Sequence, residues 1–355
     1  MESNESFKEF LSEIRLPEDL REEAKLAHVD FRAVVESDEL LKPIIVDTFL
    51  QGSYRRHTGV KPEPGKKADV DIVVVTNLNR NEISAREALD LFIPFLEVHY
   101  ADAYEKQSRS WAVHVGNIKL DLVPTSAPSE TTRKVLEKAR AVQGDEFMGS
   151  LSRESLNYVK KAAGVQDWKN ESLWIPDRDA ATWDETNPLE QIAWTVEKNA
   201  YTNMHYVNVV KLAKWWRAYN CGGKYPKGYP LEHLIGQNCP NGIESAAEGF
   251  TLALEHIVSN YYLNRLTGSV PHLADHGVPL HDVFARITPE QFAAFYDAVQ
   301  LCAPQARLAL DNDDNDASAD AWFAIFGEPF PKRASKQTAY SKPTASAVLT
   351  KGHFA

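Results

Sequence analysis

A chain of 355 residues, 43% of them hydrophobic, can bury a large core and suits two lobes better than one. The formal net charge of −11 argues against a protein whose main task is gripping long nucleic acid, which needs a broad basic surface, whereas a nucleotide pocket needs only local lysines. No apolar run reaches membrane-spanning length, the first ten residues are too polar for a signal peptide, and Cys221, Cys239 and Cys302 lie far apart without metal spacing, so a cytoplasmic protein in a reducing compartment is expected.

Residues 18–41 carry Leu20, Ala24, Ala27 and Phe31 on one helical stripe, which predicts a helix packed across the back of a sheet. Residues 44–50 read as a buried strand that breaks at Gly52-Ser53, where a short helix begins. Glycine lets phosphate approach the backbone, and the N–H groups and serine hydroxyl of a helix start bind anions. The loop from Gly59 to Lys67 is punctuated by proline and glycine and is expected to be exposed, its Lys61, Lys66 and Lys67 solvated or in reach of phosphate.

In Asp69-Val70-Asp71-Ile72-Val73-Val74-Val75 the alternation places both carboxylates on one face of a strand. Two carboxylates so close repel unless a cation lies between them, and hard oxygen ligands suit Mg²⁺ or Mn²⁺ rather than zinc. Residues 82–100 pattern as an amphipathic helix with Ala88, Leu91, Phe92, Phe95 and Leu96 inward, kinked or split by Pro94. Strands at 111–115 and 118–123 are joined by a turn at Gly116-Asn117, with Pro124 closing the second and Asp121 reaching the same edge as the other two carboxylates. A phosphate cradle beside a two-metal carboxylate cluster is apparatus for in-line phosphoryl or nucleotidyl transfer.

The ordered set Gln51-Gly52-Ser53-Tyr54, Asp69-Val70-Asp71-Ile72-Val73 and Asp121 resembles the polymerase-β-like nucleotidyltransferases, and within them the bacterial cGAS/DncV-like nucleotidyltransferases, which make cyclic oligonucleotide signals in antiphage defence. The resemblance implies an α+β fold: a nucleotidyltransferase core with a small mixed sheet, an α-helical cap lobe, and a cleft between them. It implies catalytic and metal-binding roles for Asp69, Asp71 and Asp121 with two divalent ions. Gln51, Gly52 and Ser53 would bind the nucleotide, with NTPs, ATP foremost, as substrates. The expected divisions are a catalytic core with its packing helix over 1–170, a linker strand and OAS-like helical cap over 171–330, and a flexible tail over 331–355.

Beyond residue 125 a helix is predicted over 154–163, then a short strand at Leu173-Trp174-Ile175-Pro176-Asp177-Arg178 and a linker tucked by tryptophans, with Pro188 starting the next helix. Further helices are predicted over 189–201, 204–219, 230–237, 243–266, 289–310 and 317–326, a bundle of the cap type. The acidic run 311–316 lacks an EF-hand's glycine and closing glutamate and reads as a solvated acidic loop, and the group His272, Asp275, His276, His281 and Asp282 is interrupted by proline and glycine and reads as a loop with capping groups.

Lys211 and Lys214 share one helical face opposite Val209, Leu212 and Trp216. The residues alone allow solvated lysines or triphosphate ligands, and the resemblance implies the second. Tyr229 reads equally as packing at a helix start or, by resemblance, as a platform for the donor base. Rival readings are a nucleotidyltransferase acting on RNA, protein or a small molecule, and a non-enzymatic nucleotide sensor or scaffold. The first expects a basic tract beside the cleft, and the second expects loss of a metal carboxylate. The tail, ending Lys351-Gly352-His353-Phe354-Ala355, reads first as a flexible end with no partner; the resemblance offers instead a site for a conjugating or regulatory partner, whose adduct through Ala355 mass spectrometry would detect.

Overall fold

The alternating run around Asp69 becomes the strand on which the sheet is built. The structure, a computed structural model, describes residues 2–126, 172–221 and 225–332. The helix expected over 154–163 and the tail beyond residue 332 lie outside the described residues. Helices α1 (Glu2–Ile14) and α2 (Glu18–Ser37) precede β1 (Ile45–Gln51), the single turn α3 (Gly52–Arg55) and β2 (Ala68–Thr76). Then come α4 (Ala85–Asp90), α5 (Ile93–His99), β3 (Tyr104–Lys106), β4 (Trp111–Val115), β5 (Ile118–Ser126), β6 (Leu173–Asp177) and β7 (Thr182–Thr186).

The strands form one mixed sheet in the order β1-β2-β5-β4-β3, with β6 and β7 continuing from the end of β5. Among the described strands only β2 and β5 pair in parallel, in a register that sets Asp69 beside Lys119 and Asp71 beside Asp121. Because side chains alternate, Val70, Ile72 and Val74 face the opposite way with Leu120 and Leu122, where they pack against Ala24, Ala27, Phe31 and Val35 of α2 and Phe92 and Phe95. Fully burying a side chain such as Phe31 is worth roughly 1.5–3 kcal/mol, so this layer holds the carboxylate strands from behind.

Helix α4 opens on a capping box between Ser84 and Glu87, and the expected amphipathic helix divides before Pro94. Leu91, expected inward, is instead exposed, because it sits at the junction of the two pieces, where the stripe is interrupted. Strand β5 runs through Pro124 to Ser126 rather than closing there. The β4 ladder stops at Leu122, so Pro124 lies where β5 pairs with β2 alone and a missing N–H is tolerated. The stretch expected as a linker forms the β6–β7 hairpin, pinned by the Trp183 Nε1–H bond to the Ile83 carbonyl at 3.1 Å and by Arg80 over the Trp174 ring.

From Pro188 the chain is helical: α6 (Pro188–Tyr201), α7 (Tyr206–Asn220), α8 (Gly228–Asn238), α9 (Ala246–Asn260), α10 (Tyr262–Thr267), α11 (Pro289–Leu310) and α12 (Asn315–Phe326). The helix expected over 243–266 is broken at Tyr261 into α9 and α10. Asp314 of the acidic run caps α12 through the N–H groups of Asp316 and Ala317. Asp275 accepts from the amides of Gly277 and Val278, and Asp282 from those of Leu273 and Phe284, so both acids brace their loop. Helix α1, absent from the sequence reading, packs Phe7, Phe10, Leu11 and Ile14 into the core of these helices.

Candidate functional site

On the face of the sheet away from α2, Asp69, Asp71, Lys119 and Asp121 form a square of three carboxylates and one ammonium fixed by strand register. The Lys119 ammonium donates to Asp69 Oδ1 at 2.8 Å and lies 3.3 Å from Asp121 Oδ2. Asp121 Oδ1 is buried with no hydrogen-bond partner. Burial, reinforced by the Asp69 charge, pushes the Asp71 carboxyl up to about 6 and the Asp121 carboxyl up to about 7. Burial lowers the Lys119 ammonium, but Asp69 and Asp121 outweigh it and hold the group above the usual lysine range. Among the described residues no three His, Cys, Asp or Glu side chains stand in a ready-made cage for a metal, and the one cation between these carboxylates is Lys119. The donor set nonetheless fits a hard divalent ion: all-oxygen ligands, a mutual repulsion that a cation relieves, an orphaned Asp121 oxygen, and a positive charge already drawn to the spot.

Strand β1 delivers Gln51, paired with Asp71, directly into α3. Gly52 takes φ +72°, and a Cβ there would overlap Asp71 Oδ2 and lie 2.6 Å from its Cγ. Glycine is therefore required twice, for the left-handed backbone and for the approach to the carboxylate. Gly52→Ala is expected to cut activity by at least about 10²-fold, since a misplacement of about 1 Å near the reacting groups costs that much. Steady-state kinetics would check it, and retention of full activity would show that Asp71 need not sit where it does. The Ser53 carbonyl then accepts from the amides of Thr58 and Gly59 at 3.0 and 3.2 Å, folding the turn back on itself.

A cleft of about 1090 Å³ opens beside this turn, lined by Ser53, Asp69 and Lys214 together with Lys61, Lys66 and Lys67 of the loop before β2. A second cavity of about 700 Å³ lies beyond α8 and is lined by Tyr229, Gln191, Asp275 and Arg109. Between them runs a buried polar strap. Glu232 accepts from Lys214 Nζ at 2.6 Å and Arg56 Nε at 3.0 Å, Lys214 also donates to the Thr58 carbonyl at 3.0 Å, and Tyr206 OH bonds the Glu232 carbonyl at 2.9 Å. Burial alone would raise the Glu232 carboxyl, but Arg56 and Lys214 bring it down to about 2. Arg56 also faces the Tyr229 ring at 5.2 Å, and Tyr229 OH donates to Asp275 at 2.9 Å.

The structure thus brings Gln51, Gly52, Ser53, Asp69, Asp71, Asp121 and Lys214 to one place. Lys211 is as buried as Lys214 and does not line that cleft, and burial with Arg15 and Lys214 nearby lowers its ammonium to about 7. Tyr229 opens on the second cavity, at the start of α8. Lys119, Arg56 and Glu232 were missed by the sequence reading. Lys119 was open to it, since residue i−2 in a strand shares the face of Asp121. The Arg56–Glu232 pair spans 176 positions, which no local pattern reports.

Comparison with known proteins decides the family. Residues 1–160 match the model described as Second Messenger Oligonucleotide or Dinucleotide Synthetase domain. The whole chain aligns with the whole of a Salmonella paratyphi B protein called probable cyclic AMP-AMP-GMP nucleotide synthase, at 39% identity. The chain belongs to the CD-NTases, the bacterial cGAS/DncV-like nucleotidyltransferases. A cyclic AMP-AMP-GMP synthase of Enterobacter hormaechei subsp. hoffmannii is 40% identical to this CD-NTase over 93% of the chain and 92% of its own length. The Bradyrhizobium diazoefficiens CD-NTase CdnG, solved with GTP, shares the fold with a TM-score of 0.68 at 14% identity, covering 92% of this chain and 95% of its own. The chain is accordingly a nucleotidyltransferase that makes a cyclic oligonucleotide second messenger from nucleoside triphosphates, with divalent metal as the family's cofactor. Among the described residues no helix is long and apolar enough to cross a membrane.

Proposed function

We propose that this CD-NTase is a cytoplasmic enzyme that joins two adenylates and one guanylate into a ring, the product stated in the names of the two curated relatives, as a signal in antiphage defence. The observation that carries the site reading is the parallel β2–β5 register, which sets three carboxylates on one sheet face beside the Gly52-Ser53 turn and a lysine-lined cleft.

In this reading Asp69 and Asp71 would hold two ions, Mg²⁺ or Mn²⁺, with Asp121 as the third carboxylate of the set. Such ions, when bound, supply positive charge to the attacking and leaving oxygens. Ser53 and the neighbouring amides hold the β and γ phosphates in the cleft, with Lys214 at its wall and Lys211 adding charge from nearby. Asp121 accepts the hydroxyl proton directly or through water. Tyr229 offers its ring to a base in the second cavity, where the Asp275 contact fixes the phenol. Repeating the transfer on the reoriented product and then closing the ring completes the molecule.

Incubation of the purified chain with four labelled NTPs and Mg²⁺ or Mn²⁺, followed by phosphatase, is expected to leave label from ATP and GTP in a resistant small product. Label found only on added RNA or protein would overturn the reading in favour of end modification. The absence of transfer in any form would favour a nucleotide sensor.

A further inference from the structure

We propose that Lys119 is a built-in counter-cation that sets how tightly Asp69, Asp71 and Asp121 take a divalent ion, holding the carboxylates together in the ion's absence and withdrawing when the ion arrives. This rests on the reading of those three residues as ion ligands.

Four observations carry it. First, the position is built into the backbone: the parallel register pairs Lys119 with Asp69, and strand alternation puts Lys119 on the same face as Asp121. Second, its ammonium bridges an oxygen from each, 2.8 Å from Asp69 and 3.3 Å from Asp121, so it lies where a shared cation would be drawn. Third, the match is incomplete. Asp121 Oδ1 stays buried and unpaired, so a monovalent ammonium neutralises part of the cluster and leaves a ligand for an ion of higher charge.

Fourth, Lys119 has somewhere to go. Its side chain is 27% exposed, on a flexible four-carbon stem that can swing toward water. Arg56, the other cation whose charge acts on Asp71, has a side chain only 6% exposed and is tied to Glu232 at 3.0 Å. Of the two, Lys119 is the one able to yield. A unit charge left about 6 Å from a dication in a water-like dielectric changes affinity by about tenfold, and direct competition for the same oxygens adds to that. Lys119 is a positioning residue in this scheme and takes no part in bond making.

The test is Mn²⁺ binding to the full chain without nucleotide, read by the EPR signal of free Mn²⁺, for the native protein, K119M, K119Q, K119R and D71N. The native chain is expected to bind Mn²⁺ and D71N to lose that binding. K119M and K119Q are expected to bind at least about tenfold more tightly than native. K119R, which keeps the charge, should stay within about threefold of native. Thermal melts give a second readout: without ion K119M melts below native, and Mn²⁺ raises it by more than it raises native. Equal or weaker Mn²⁺ affinity in both neutral variants would overturn the proposal while leaving the ion ligands in place. Binding that survives in D71N would instead remove the ion reading beneath it.

Discussion

Asp71→Asn is expected to abolish product formation, by about 10³-fold or more, while leaving the chain folded. Ion-derived charge stabilisation in a transfer of this kind is worth several kcal/mol, and each 1.36 kcal/mol is a factor of ten in rate. The side chain has almost the same shape, so the Gly52 approach and the strand register survive. The companion Asp121→Asn carries a stability signature of definite sign. The Asp121 carboxyl rises from 3.8 to about 7 on folding, so below pH 4 it is protonated in both folded and unfolded chains and costs nothing. Between those values the fold takes up a proton that the unfolded chain releases, and stability falls as pH rises through the window. Without added ion, Asp121→Asn should therefore melt higher than native above pH 7, with the gap closing as pH falls toward 4. A gap that widens in acid, or full activity in Asp71→Asn, would mean these carboxylates do not form the repelling, cation-dependent set described here.

Glu232→Gln is expected to cost more in stability than any other single substitution considered, about 3–5 kcal/mol, because it strands Arg56 and Lys214 as buried charges without their shared anion. For a chain of this size the melting temperature should fall by about 5 °C. Its pH dependence runs opposite to that of Asp121. The Glu232 carboxyl is depressed from 4.5 to about 2 in the fold, so its contribution is complete above pH 4.5 and is lost as pH falls toward 2. The native-to-variant difference should shrink over that window. Adding Arg56→Met to Glu232→Gln should recover part of the loss, since one of the two stranded cations is then gone. The variant should also raise KM for ATP, because Lys214 loses the contact that fixes it at the cleft wall. A melt unchanged in Glu232→Gln would show that the strap contributes nothing to joining α8 to the turn after α3.

The carboxylate triad was legible in the sequence because period-two alternation is local and each member lies in a strongly apolar run. The break at Gly52, the hairpin at Gly116-Asn117 and most of the helices were open to the same reading, since propensity and capping act within a few residues. What escaped it depends on distance or on neighbours. Leu91 satisfies the helical stripe and is nonetheless exposed, because the helix divides at its position. Pro124 reads as a stop but lies inside β5, where the far ladder has already ended. Lys211 and Lys214 look equivalent on a helical wheel, and only the packing of α7 against the turn at Thr58 sets Lys214, and not Lys211, at the cleft wall. Glu232 reads as an ordinary first-turn carboxylate until Arg56, from the other end of the chain, is seen against it.

Helix α1 sets Phe7 edge-on to Trp322 at 5.0 Å and 5.2 Å from Phe330, with Phe10 against Phe326 at 5.0 Å. The sheet layer, by contrast, draws its main core from residues 24–122. During synthesis on the ribosome the sheet can close while the rest is still being made, and the first helix can find α7 and α9, Phe10 against Trp215, but its aromatic face is fully covered only when nearly the last of the described residues has emerged. The thirteen residues of α1 and the twelve of α12 then complete one aromatic cluster, and clipping either should loosen the other.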